Sequence, residues 1–138
     1  MNTDNECGVQ KESEKDIENI ATITIDAAYN VYFNLGPGLL ESVYESCLIH
    51  ELKKKGLLVE SQVRLPIFYD GICINEGFRL DLLIENCLIV EIKTVEAILP
   101  VHKAQLLTYL KLSGKTLGLL LNFNSAIFKE GIKKGYQL

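Results

Sequence analysis

No apolar run in this sequence approaches the roughly 20 residues needed to span a bilayer, so no membrane-crossing helix is expected. The opening residues, Met1-Asn2-Thr3-Asp4-Asn5-Glu6, are neither basic nor apolar, unlike an export signal. The four cysteines, Cys7, Cys47, Cys73 and Cys87, include no Cys-x-x-Cys pair. Free, buried thiols in a reducing cytoplasm are therefore expected, rather than disulfides or zinc ligands. Internal repeats and low-complexity tracts are missing too. At 138 residues the chain is too short for two ordinary domains, yet long enough for one with a sizeable core. An overall excess of positive charge is also lacking, since the net charge is −4. That deficit is local: Asp4, Glu6, Glu12, Glu14, Asp16 and Glu18 outweigh Lys11 and Lys15, and residues 21–138 are neutral, with twelve acids against twelve bases. Charge alone thus neither supports nor excludes a polyanionic partner.

What is present is a clear alternation of element types. Residues 1–12 are polar and aperiodic and are expected to be a disordered or loosely docked acidic tail, leaving 13–138 as one domain. Ser13 and Asp16 suggest a helix start. From there Ile17, Ile20, Ala21, Thr24, Ala27, Ala28, Val31 and Leu35 recur at helical spacing. The β-branched run Thr22-Ile23-Thr24-Ile25 works against that helix locally, and Gly36-Pro37-Gly38 stops it. A second helix is predicted from about Leu40 to Lys55, closed by Lys53-Lys54-Lys55 at the negative end of the helix dipole and by Gly56. Strands follow over Leu57–Tyr69 and Ile72–Ile84, joined by the turn Asp70-Gly71. Pro66 marks an edge or an irregularity in the first of them. A third helix runs from Pro100 to Ser113, ended by Gly114. Thr116–Phe123 is nearly continuous in apolar residues, as in a strand covered on both faces. The segment Ile127–Leu138 is a last strand or turn. This order gives a mixed sheet with helices on its faces, an α/β layered domain.

The most informative stretch is Arg79 to Lys93. Two apolar runs flank Glu85-Asn86-Cys87, which predicts a hairpin. Pairing Asp81 with Glu91 also pairs Arg79 with Lys93 and Leu83 with Ile89. One face then consists wholly of Leu80, Leu82, Ile84, Leu88, Val90 and Ile92. A slip of one residue would put charge on both faces, so side-chain alternation selects this register. Two carboxylates are thereby placed opposite each other, which destabilises a strand pair unless a cation compensates. That cation is either Arg79 and Lys93, giving a salt-bridged sheet face, or a hard divalent metal ion.

Taken in order, these features resemble the PD-(D/E)XK nuclease core: helix, three strands, helix, strand, with Asp81 on the second strand and Glu91-Ile92-Lys93 on the third. The segment Gly38-Leu39-Leu40-Glu41-Ser42-Val43-Tyr44 is similar to the motif that names the GxxExxY proteins, and the likeness extends to Asn122-Phe123 and Gly131-Ile132-Lys133. The resemblance implies the restriction-endonuclease-like fold with an extra N-terminal helix. It implies that Asp81, Glu91 and Glu41, with the backbone carbonyl of Ile92, hold Mg²⁺ or Mn²⁺, and that Lys93 orients or helps deprotonate the attacking water. Leu80 stands where the superfamily usually has proline. Gln105 and Tyr109 share a helical face, and their spacing is similar to that after the lysine in RecB-type nucleases, where such residues brace the site and contact nucleic acid. A packed Tyr109 with a solvated Gln105 is the plainer alternative. His102 reads as a surface residue or phosphate contact rather than a general base. Tyr44 reads as a core residue or one bonded to Glu41, and Arg79 as either a balance to the acids or a phosphate contact.

The expected activity is metal-dependent phosphodiester hydrolysis on nucleic acid, DNA ahead of RNA, by a cytoplasmic protein for which a homodimer would allow both strands of a duplex to be cut. Two rivals stand beside it: a non-cleaving nucleic-acid-binding or assembly module that keeps the fold, and metal-dependent chemistry on a smaller phosphorylated substrate.

Overall fold

The computed structural model describes residues 11–137, without the side chains of residues 11–15 and Glu76. The tail expected over 1–12 lies outside the described residues up to position 10. Helix α1 spans Lys11–Leu35 and α2 Glu41–Lys54. Strands β1 (Val59–Tyr69), β2 (Ile72–Ile84) and β3 (Leu88–Lys93) follow, then α3 (Pro100–Ser113) and β4 (Leu117–Asn122). A short 3₁₀ turn, Phe128–Gly131, leads into β5 (Ile132–Tyr136), so the last segment holds both a turn and a strand. Helix α1 is already formed at Lys11, which places Ser13 inside it rather than at its cap. It also continues unbroken through Thr22–Ile25. The buried stripe of Ile17, Ala21, Thr24, Ala28 and Val31 outweighs the weak local propensity, and Thr24 satisfies its hydroxyl on the Ile20 carbonyl at 2.8 Å.

The sheet order is β1-β2-β3-β4-β5. Every neighbouring pair is antiparallel except β3–β4, which is parallel and joined through α3, as a parallel connection requires. Alternation along the central strands sorts the core into two layers. Leu88, Val90, Ile92, Leu117, Leu119 and Leu121 pack with α1 and α2, whereas Ile89 and Leu120 pack with Leu106 and Leu110 of α3. All six residues of β4 are buried, in agreement with the expectation of a strand covered on both faces. Of the cysteines, Cys47, Cys73 and Cys87 are free, but only Cys87 is buried; Cys73 is exposed because it lies on a part of β2 that no layer covers.

Strand β3 pairs with β2 only over Leu82, Leu83 and Ile84, so the uncovered remainder of β2 and its partner β1 form a two-stranded ribbon. The ribbon ends in the Asp70-Gly71 turn, with φ of +50° and +79° at the two central residues, as a tight hairpin turn demands. Its register shifts between Leu65 and Ile67, around Pro66. Gly77 lies across from this shift, where a Cβ would overlap the Leu65 carbonyl oxygen.

Candidate active site

The register expected for the β2–β3 hairpin is the one found: Leu82 pairs with Val90, Leu83 with Ile89 and Ile84 with Leu88. The ladder then stops one pair short of Asp81 and Glu91. In its place each carboxylate crosses to the other strand's backbone. The Ile92 amide donates to Asp81 Oδ2 at 2.8 Å, and the Asp81 amide donates to Glu91 Oε2 at 3.0 Å. An Asp81 amide aimed at β3 cannot also serve β1, and the β1–β2 ladder omits the pair Gln62 and Asp81. Gln62 takes up the slack with φ +54°. The same twist moves Leu80 out of the layer expected for it. It packs with Phe78 and Leu83 on the α3 side, so the uniform apolar face predicted for Leu80, Leu82 and Ile84 is broken at Asp81.

Since N–H and C=O of one strand residue point the same way, the Ile92 amide bonded to Asp81 implies that the Ile92 carbonyl also faces the β2 side. The Lys93 carbonyl points the other way and accepts the Phe123 amide at 3.0 Å. Around this opening is a cleft of ≈ 380 Å³ whose lining includes Glu41, Asp81, Glu91, Lys93, Gln105 and Tyr109. Lys93 donates from Nζ to Gln105 Oε1 at 3.3 Å. Tyr109 stacks on Phe78 with ring centroids 4.8 Å apart. Arg79 also lines the cleft, as does Arg64, which no sequence motif singles out.

Two expected members are elsewhere. Tyr44 is fully buried, stacked on Phe123 at 4.6 Å, and its hydroxyl accepts the Leu39 amide and donates to the Gly36 carbonyl instead of reaching Glu41. It therefore fixes the loop that launches α2, and through that loop the position of Glu41. His102 does not line the cleft; its Nδ1 accepts the Leu99 amide at 2.9 Å and caps α3. Asn122, buried, stands out in the sequence only as part of the terminal likeness. Its side chain clasps Val95 through both amide and carbonyl, tying the loop after Lys93 to the end of β4.

The electrostatics follow from burial. Glu91 is 4% exposed; desolvation first, and the Asp81 charge second, push its pKa up to about 8 despite the Asp81 amide and Lys93. At neutral pH it holds a proton. Glu41, on the rim, is raised by partial desolvation and then by Asp81, with Lys93 opposing. Tyr109 is raised by burial and by Glu91 and Asp81, which keeps its phenol neutral. The ion pairs among the described residues, Lys54–Glu51 and Lys134–Glu18, lie outside the cleft. Neither Arg79 nor Lys93 reaches ion-pair distance of the facing acids.

A hard divalent cation prefers oxygen donors, and Asp81, Glu91, Glu41 and the Ile92 carbonyl are donors of that kind at one opening. They fit in chemical type. Among the described residues, no three His, Cys, Asp or Glu side chains are already gathered to hold an ion. Glu91 would have to release its proton and its hold on the Asp81 amide.

A family model described as the PD-(D/E)XK nuclease superfamily matches residues 18–135 of the chain. No curated protein and no solved structure matches.

Proposed function

The chain belongs to the PD-(D/E)XK nuclease superfamily, and from that premise we propose that the cleft between β2 and β3 hydrolyses phosphodiester bonds of nucleic acid with Mg²⁺ or Mn²⁺. DNA is the first substrate to test, ahead of RNA. Within the superfamily, Gly38, Glu41 and Tyr44 group the chain with the GxxExxY proteins. One observation carries the reading: two carboxylates meet where the ladder opens, and among the described residues no cation is paired with them.

Asp81, Glu91, Glu41 and the Ile92 carbonyl would hold the ion. When bound, it supplies polarisation of a phosphate oxygen and a water of lowered pKa. The remaining work falls to the chain. Lys93, steadied by Gln105, presents an ammonium group where negative charge gathers on the phosphate, which is the use such a fixed charge has in a transition state. Tyr109, kept neutral, offers a phenolic donor from α3. Tyr44 and Asn122 hold the two loops that set Glu41 and Lys93 in place.

A second reading, a non-cleaving nucleic-acid-binding or assembly module, is favoured by the protonated Glu91 bonded to backbone. Incubating fluorescent DNA and RNA oligonucleotides with Mg²⁺ or Mn²⁺ separates the two. Hydrolysis by the wild type that is lost in Asp81→Asn and Lys93→Ala supports the nuclease. Metal-independent binding without product, unchanged in those variants, supports the module.

A further inference from the structure

Arg64 and Arg79 are the only arginines in the sequence, and the β1–β2 ladder makes them direct cross-strand partners. Residues so placed on antiparallel strands have Cβ atoms roughly 5 Å apart on one face, and like charges there destabilise the pair. Both side chains are exposed and both line the cleft that holds Asp81, Glu91 and Lys93. Among the described residues neither arginine takes part in an ion pair. The alternate positions Val63, Leu65, Phe78 and Leu80 are turned into the α3 layer, so packing fixes which face of the ribbon the arginines occupy. Folding thus holds two permanent cations together, at some cost and, among the described residues, without an ion-pair partner, on the wall of the cleft that holds Asp81 and Glu91.

A planar guanidinium binds phosphate in a bidentate manner and does not deprotonate. We propose that Arg64 and Arg79 form a second phosphate site, which grips a backbone phosphate of the nucleic acid neighbouring the one at Asp81 and Glu91. The inference rests on the nuclease reading and narrows it: two phosphate sites on one cleft select a polynucleotide over a small phosphomonoester.

The test is fluorescence anisotropy of labelled single- and double-stranded DNA and RNA oligonucleotides with the full chain, in EDTA to prevent hydrolysis, across a range of salt. Wild type is compared with Arg64→Gln, Arg79→Gln and the charge-preserving Arg64→Lys. Each glutamine variant should bind more weakly, and its slope of log affinity against log salt should fall by about 1; Arg64→Lys should keep the wild-type slope. Thermal melting supplies a readout that separates binding from folding. The glutamine variants should melt at or above the wild-type temperature, because repulsion between the two guanidinium groups is relieved. A lower melting temperature with unchanged affinity and slope would assign the pair to the fold and overturn the proposal. Cleavage by the wild type once Mg²⁺ replaces EDTA, together with the same binding slope in all variants, would overturn the arginine site and leave the nuclease standing. No binding and no cleavage of any oligonucleotide by the wild type would overturn the nuclease reading, and this inference with it.

Discussion

Replacing Glu91 with glutamine isolates the electrostatic cost of the site. Glu91 is 4% exposed and its carboxyl titrates near 8 instead of 4.5. Between those values the folded chain keeps a proton that the unfolded chain has released, so stability must fall as pH rises through the interval. Each pH unit costs about 1.4 kcal/mol, and the whole interval on the order of 5 kcal/mol. Below the unfolded value the contribution is fully present; above about 8 it is gone. The glutamine amide is neutral throughout, and its carbonyl oxygen can still accept the Asp81 amide, a bond now 3.0 Å long. The measurement is urea unfolding followed by far-UV circular dichroism in EDTA, at unit steps between about pH 5 and 9. The difference between wild type and Glu91→Gln should shrink to little at the acid end and grow in the variant's favour toward the alkaline end. Equal pH slopes for the two proteins would mean instead that Glu91 ionises as freely folded as unfolded.

Tyr44→Phe removes the hydroxyl that serves the Leu39 amide and the Gly36 carbonyl, and should lower unfolding free energy by about 1–3 kcal/mol in denaturant titrations while reducing any metal-dependent activity through Glu41. Gly77→Ala places a methyl group against the Leu65 carbonyl; the strand backbone must move, and a loss of roughly 1–3 kcal/mol should appear as a lower melting temperature.

The fold is readable in the sequence because its signals are periodic or local. Turn residues locate the Asp70-Gly71 hairpin and the end of α3 at Gly114, and alternation between Leu82 and Val90 fixes the register. The site is readable only as far as that alternation holds. Leu80, Asp81 and Gln62 depart from it because a carboxylate takes the place of a ladder carbonyl, a tertiary event that no period records. Tyr44, read as a core residue or one bonded to Glu41, and His102, read as a surface residue or phosphate contact, satisfy backbone groups at helix starts, a role that depends on loop geometry. Arg64 carries no signal of its own, since its pairing with Arg79 requires the β1–β2 register, which is interrupted around Pro66.

Whether the facing acids hold a metal ion is settled by calorimetric titration of the wild type, Asp81→Ala and Glu91→Ala with Mn²⁺ and Mg²⁺. Binding by the wild type should tighten as pH rises toward the titration of Glu91, since its proton must leave, and should be lost in both variants once each is confirmed to be folded. Wild-type protein that takes up neither ion even with nucleic acid present, or variants that bind as well as wild type, would contradict a metal site at these acids.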